Sequence, residues 1–439
     1  MFLWYNAFRE KVVCRDEERM KILWKNLSYE AMLKKPSKKR KKPKKCSAFY
    51  RLLLKIICMG ELKKVHFKAK KVGMERLGKK EPCLILMNHC SWIDLKIAAT
   101  IMNPRPVNIV CTTDALLGRG WIMRQIGCIA TDKYVTDMEL VKDIIYAIKN
   151  LKSSVLMFPE AGFSSDGKST VLPKSLGKLV KLLNVPLVMI ESFGAFARDP
   201  LYNSFQKRKV DVSAEVRYLL SPEEIQQKTY QEINQIIEKQ FDVDYFRWQK
   251  ENKIAITEPF RADYLNKILY KCPHCLQEGK MLGKGTTLKC TECGKEYFLT
   301  EYGELQALSG DTEFPHIPDW SDWQRSLVAE EVAKEDYKIE IPVKIGIVKN
   351  DWCVYVVGNG TLTHTREGFK LTGCDGKLNY EQSSSLSYSV CADYNWYERE
   401  DVVCIGTNKT LYFCFPTCSN DIAFKIRLAV EEIYKQLKK

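Results

Sequence analysis

Four short runs of strand-forming residues constrain this chain more than anything else in it: CLILM at 83–87, VNIVC at 107–111, SVLMF at 154–158 and PLVMI at 186–190. Each is almost wholly apolar, as a strand covered on both faces must be, and helical stretches separate them. That alternation predicts an α/β domain, a sheet with flanking helices whose strand ends are the places to look for chemistry. One intervening helix is expected over 136–150, with Met138, Val141, Ile144 and Ile145 on one face and a Thr/Asp start as its cap. A further strand over 209–220 runs into Ser221, Pro222, Glu223 and Glu224, the signature of a capping box with proline in the first turn.

At 439 residues the chain needs more than one ordinary core. Beyond 253 the helical period fades, and 271–298 reads as a compact metal module. Residues 300–340 are acidic and aromatic without a clear period. From 341 onward the runs IPVKIGIV, CVYVV, GTLTHT, GFKLTG, LSYSVC, VVCIGT and LYFCF, jointed by Gly, Asn and Asp, predict a small all-β unit closed by an amphipathic helix over 420–437. In order and length that unit is similar to the pleckstrin-homology-like architecture, which hosts many functions. The expected organisation is a charged segment and basic linker over 1–47, a catalytic domain over 48–253, a zinc ribbon over 254–300, a linker over 301–340 and the β-rich domain over 341–439.

The formal charge of +15 is local: residues 1–80 hold 25 Lys and Arg against seven Asp and Glu, so the remainder is slightly acidic. The run KKPSKKRKKPKK at 34–45 carries two prolines and repels itself, and reads as a solvated linker. Anionic lipid, nucleic acid and an import receptor are all chemically suited to it. The next segment, 48–59, favours lipid: Arg51 and Lys55 share one helical face and aliphatic residues fill the rest, a pattern that lies in an interface and is too short and charged to span. With about 1 kcal/mol per basic residue near an anionic surface, nine such residues and the helix hold the protein reversibly. The first fifteen residues lack the features of a secretory signal, and 17 scattered cysteines fit a reducing compartment. The expectation is a cytoplasmic protein, peripheral on the inner face of the membrane.

Chemistry concentrates in Leu84-Ile-Leu-Met-Asn-His-Cys-Ser-Trp-Ile-Asp94, where a buried strand delivers Asn88 and His89 to a turn and Asp94 follows in a helix. That spacing lets a carboxylate fix an imidazole tautomer and stabilise the imidazolium formed when the ring takes a proton. Cys90 or Ser91 as nucleophile with His89 is disfavoured, because a nucleophile and its base usually converge from separate elements. Four blocks in order, NHCSWID at 88–94, GCIATDK at 127–133, FPEAG at 158–162 and VPLVMI at 185–190, resemble the 1-acylglycerol-3-phosphate acyltransferase family. The resemblance covers roughly 52–240.

It implies direct transfer of a fatty acyl group from an acyl thioester, of coenzyme A or acyl carrier protein, to the hydroxyl of a lysophospholipid such as 1-acylglycerol-3-phosphate. His89 would be the base and Asp94 its orienting partner. Asn88, Lys133, Glu160 and Gly162 would serve the substrate, with Glu160 acting through loop geometry or acceptor binding and Gly162 easing the turn. Two departures matter: Lys133 stands where the second block has arginine, and Ala161, Gly162 and Phe163 replace glycine, threonine and arginine in the third. Lys168 or Lys174 would then supply the missing charge, or the acceptor carries a different headgroup.

Cys272-Pro-His-Cys275 and Cys290-Thr-Glu-Cys293 form the two knuckles of a four-cysteine zinc ribbon, with His274 a bystander. Four thiolates close the coordination sphere, so the zinc is structural. Zinc ribbons also bind nucleic acid, which leaves a second reading, a nucleic-acid-binding protein with an inactive α/β domain; the modest charge over 281–289 disfavours it.

Overall fold

The apolar runs become the centre of a seven-stranded sheet. The computed structural model describes residues 22–36, 40–131, 137–349, 353–396, 400–407, 410–418 and 421–437. Ahead of the sheet lie a short strand, β1 (Leu23–Asn26), and helix α1 (Ala48–Lys64). The sheet comprises β2 (Lys68–Val72), β3 (Leu84–Met87), β4 (Val107–Thr112), β5 (Cys128–Thr131), β6 (Ser154–Met157), β7 (Leu187–Phe193) and β8 (Ser213–Leu220), in the order β2-β8-β7-β3-β6-β4-β5. Strands β7, β3, β6, β4 and β5 are mutually parallel, whereas β8 runs antiparallel to β7. Every residue of β3 is buried, as its uninterrupted apolar sequence requires for a strand in the middle of the sheet. Helix α2 (Ile93–Ile101) follows β3 directly.

The helix expected over 136–150 spans Met138–Lys149, and Asp137 caps it by accepting from the amides of Glu139 and Leu140. Thr136 lies outside the described residues. The capping box at Ser221 and Glu224 is formed as its sequence predicts. Two further helices follow, Tyr230–Phe241 and α3 (Tyr245–Glu251).

Four antiparallel strands, β9 (Met281–Lys284), β10 (Thr287–Cys290), β11 (Glu296–Leu299) and β12 (Leu305–Ala307), make a small sheet after the first cysteine pair. The segment read as a linker contains a 17-residue helix, α4 (Ile317–Ala333). Its sequence hides a period because Trp320, Ser321, Gln324 and Val328 are all buried, mixing polar and apolar groups on one face.

The last unit has seven consecutive strands: β13 (Lys338–Val348), β14 (Cys353–Thr365), β15 (Gly368–Gly373), β16 (Leu378–Ser383), β17 (Cys391–Trp396), β18 (Glu400–Thr407) and β19 (Thr410–Pro416), in the order β16-β15-β14-β13-β19-β18-β17. Helix α5 (Ile422–Leu437) ends it. Two of the expected runs, CVYVV and GTLTHT, are one strand. Gly358 and Gly360 look like a joint in sequence, yet a Cβ at Gly360 would meet the carbonyl oxygen of Thr372 at 2.2 Å, so glycine there admits a neighbouring strand. Strand β16 was not foreseen, and LSYSVC contributes only its last residue to β17.

The basic run is less free than its composition suggests. Arg40 pairs with Asp137 and Asp143, the Lys44 carbonyl accepts from Asn108, and Pro43 is buried, so 40–46 is laid along the α/β unit. Upstream of it, β1 pairs in parallel with β14, joining the start of the chain to the β-rich unit. Beside an apolar cluster confined to the α/β unit around Leu84, Leu86, Leu187 and Met189, another runs from Ile85 and Val188 in the seven-stranded sheet through Met281 and Tyr297 to Trp320, Ile345 and Leu428.

Candidate active site

Met87 ends β3, and the chain turns through residues 88–92 before α2 begins at Ile93. Asp94 therefore sits in the first helical turn, where backbone N–H groups point at it and favour negative charge. One carboxylate oxygen accepts from the Cys90 amide at 2.6 Å and the Ser91 amide at 2.9 Å, and lies 3.1 Å from Nδ1 of His89. The other oxygen accepts from Ser192 Oγ at 3.0 Å. A carboxylate with this many donors is fixed in place, and it requires a proton on Nδ1, which leaves the lone pair of His89 on Nε2.

Aromatic rings close both faces of the imidazole. Phe158 stacks at 4.2 Å and Phe163 lies at 4.1 Å, while Trp92 and Phe205 pack around Phe163. The side chain keeps 21% of its surface exposed. With Nδ1 bound and the faces covered, the Nε2 edge is the side from which an alcohol can approach.

The backbone of His89 is held from both ends by the loop after β6. Its N–H donates to Glu160 at 2.9 Å, and its carbonyl accepts from the Ser164 amide at 2.8 Å. The second oxygen of Glu160 accepts from the Thr170 amide at 3.1 Å, which folds the loop back on itself. Burial pushes the Glu160 carboxyl up to about 7, against the opposing pull of those two amides and of Arg427; Asp94 adds to the rise.

The remaining expected substrate residues divide. Asn88 is turned into the protein: its carbonyl accepts from the Ser192 amide, and its amide donates to the Ser192 carbonyl and the Tyr245 hydroxyl, so it pegs β3 to β7 and α3 instead of meeting a ligand. Gly162 is buried but does not make the turn; the left-handed residue is Ala161, at φ 54°. Lys168 is drawn away by Asp322 at 2.7 Å. Lys174 is exposed beyond the loop, before the helix Leu176–Leu183. Lys133 lies outside the described residues.

The nucleophile alternative fails on environment. Cys90 is fully buried, and burial, reinforced by Asp94 and Glu160, pushes its thiol well above the usual range, opposite to what a thiolate nucleophile needs. Ser91 is equally buried, with its hydroxyl turned to the Ile93 amide. Sequence reasoning missed Ser192, Tyr245, Phe158 and Phe205. Their sole local signal is position: Ser192 lies near the end of a strand adjacent to β3, and Phe158 begins a motif block.

Away from this centre, Cys272, Cys275, Cys290 and Cys293 place their sulfurs within 4.8 Å of one another. The Cys272–Cys293 and Cys275–Cys290 separations are 3.8 and 3.7 Å. Zinc–sulfur bonds of ~2.3 Å in a tetrahedron set ligand sulfurs about 3.8 Å apart, so the donor set fits zinc. His274 is turned toward Glu313, at 3.6 Å.

Residues 68–191, from β2 into β7, match the family model Acyltransferase. Among solved structures, the chain is similar to the 1-acyl-sn-glycerophosphate (LPA) acyltransferase PlsC from Thermotoga maritima, at 15% identity over 44% of this chain and 80% of that one, with a TM-score of 0.35. None of the curated proteins matches. The stretch that matches the family model takes in His89, Asp94 and Glu160.

Proposed function

We propose that this protein transfers a fatty acyl group from an acyl thioester to the free hydroxyl of a lysophospholipid, with 1-acylglycerol-3-phosphate the acceptor its motif blocks imply. The carrying observation is the imidazole of His89, fixed through Nδ1 on Asp94 and flanked by two aromatic rings, with its Nε2 edge left for an alcohol. In the proposed reaction Nε2 takes the hydroxyl proton as the oxygen attacks the thioester carbonyl. The new ester forms, the carbon–sulfur bond breaks, and the departing thiolate recovers the proton from Nε2. No acyl-enzyme is required. The imidazolium that exists between the two proton transfers is stabilised by Asp94 and by the ring faces around it.

The headgroup is the open part of this reading. Phe163 brings no charge to the position where arginine would be expected, and Lys168 is engaged by Asp322. The test is therefore a panel of lysophosphatidate, zwitterionic lysolipids and neutral glycerides with labelled acyl-coenzyme A or acyl carrier protein. His89→Ala should lose about 10²–10⁴-fold in turnover on whichever acceptor the wild type uses, while its circular dichroism is unchanged. A variant that turns over normally would remove the mechanism.

A peripheral place on the inner membrane face belongs to the same proposal. Helix α1 buries Leu54, Ile57, Cys58 and Leu62 yet exposes Phe49, Leu52, Ile56 and Met59, a stripe at helical spacing beside basic residues. Among the described residues no helix is long and apolar enough to cross a membrane. The four cysteines are proposed to hold a structural zinc, which would fix the ribbon and take no part in acyl transfer.

A further inference from the structure

The loop that holds His89 is closed within itself by Ser164, whose hydroxyl donates to the Lys168 carbonyl at 2.8 Å, and by the Thr170 amide on Glu160, and it is tied to distant elements as well. After Phe163 come Ser164, Ser165, Asp166 and Gly167, all buried, although three of the four carry polar side chains. Buried polar groups need partners, and the side chains of Ser165 and Asp166 find theirs in part far downstream. Ser321 of α4, 155 residues downstream, donates its hydroxyl to Asp166 at 2.6 Å. Arg427 of α5, 262 residues downstream, donates to the hydroxyl of Ser165 at 2.7 Å. Tyr388 reaches the carbonyl of Pro159 at 3.4 Å, on the strand side of the same loop.

These anchors are themselves rigidly mounted. Arg427 and Arg325 converge on Glu431, which Ser389 also contacts. Burial would raise the Glu431 carboxyl, but the two guanidiniums and the hydrogen bonds together bring it down to about 2, so it stays charged and keeps Arg427 in place. Ser321 sits between Trp320, whose indole donates to the Lys271 carbonyl at 3.0 Å, and Asp322, which holds Lys168. Gly167 itself packs closely on Phe246 of α3, where a Cβ would stand 2.6 Å from the ring.

We infer that Ser321 and Arg427 are positioning residues of the acyl-transfer site, acting through Asp166 and Ser165 on the loop that fixes the backbone of His89. The inference rests on the proposed reading of His89 as the base. Its physical content is a short contact path: Ser321 and Arg427 hold 165–166, the adjacent Ser164 amide holds the His89 carbonyl, and the turn so held, which Asp94 grips from its other side through the Cys90 and Ser91 amides, presents the imidazole to Asp94. The downstream units thus complete the acyl-transfer site without touching substrate, and small errors of placement there are costly in rate.

The experiment uses the full-length, zinc-loaded protein and the variants Ser321→Ala and Ser165→Ala; the second cuts the Arg427 contact yet leaves the Arg427–Glu431 pair intact. Each should lower kcat about tenfold with little change in KM for the acyl thioester, and amide exchange over 163–170 should accelerate while β3 to β7 stay protected. Ser321→Thr, which keeps the hydroxyl, should restore most of the rate. Wild-type kcat in both alanine variants overturns the inference, as does a deficit that vanishes on cooling in step with a lowered Tm. His89→Ala is run beside them: if it retains turnover, the catalytic reading has failed, whereas an inactive His89→Ala with normal Ser321→Ala and Ser165→Ala defeats the positioning role alone.

Discussion

Glu160 accepts two backbone N–H groups with one carboxylate, and that economy has a pH consequence. Its carboxyl stands near 4.5 when solvated and about 7 in the fold, so the folded state binds this proton more tightly than the unfolded chain. The group's contribution to stability is full below 4.5 and is lost as pH rises through about 7, an effect of up to about 3 kcal/mol at 1.36 kcal/mol per pKa unit. Thermal melts of wild type and Glu160→Gln from pH 4.5 to 8 should show the wild-type advantage shrinking as pH rises. Parallel curves would mean that the carboxyl titrates normally. The pairing of His89 with Asp94 was legible because four intervening residues carry it. Ser192 and Tyr245 were not, since nothing within one strand states which strand will lie beside it. The replacement of arginine by Phe163 was visible as a loss; that its ring would cover the imidazole required the fold.

Element by element, legibility followed burial. Strands β3, β4, β6 and β7 announce themselves because the central parallel strands are mostly apolar, whereas β2, KAKKV at the sheet edge, has no such pattern. Helix α4 was hidden by its own polar buried face. Helix α1 was readable as amphipathic, but the division of its apolar residues between core and surface was not: only packing shows that Leu54 and Ile57 turn inward while Leu52 and Ile56 turn outward. If that outward stripe docks on lipid, Leu52→Glu with Ile56→Glu should cut co-flotation with anionic phosphatidylglycerol vesicles at least tenfold. Raised salt should weaken the wild type in part, because the apolar contribution survives screening. Flotation of the double variant at wild-type level would dismiss the helix as the contact. Both side chains are exposed, so folding should be unaffected.

Across the whole molecule, the expected units do not behave as beads on a string. Strand β1 pairs with β14, the loop after β6 leans on α4 and α5, and one apolar cluster joins the seven-stranded sheet to the ribbon strands, α4 and α5. The cysteine cluster enters this network at several points: the Lys271 amide donates to Gln324 and its carbonyl accepts from Trp320, both at 3.0 Å, Glu278 between the knuckles pairs with Lys425 of α5 at 2.8 Å, and Tyr297 packs edge-on against Trp320. Removing zinc would take away the bonds that close the ribbon, since a four-thiolate site carries folding energy outright. Chelation under reducing conditions, followed by hydrogen exchange, should therefore expose 271–298 first and α4 next. Residues 163–170 should loosen after them, while β3 and β7 retain protection because Leu84, Leu86, Leu187 and Met189 pack in a cluster that takes in no residue of the ribbon. A protein that binds no zinc by elemental analysis, or one whose ribbon stays protected without metal, would show that apolar packing alone holds the cysteines together. Loss of protection everywhere at once would instead mean that the shared core unfolds as a single cooperative unit and that the ribbon has no separate stability to lose.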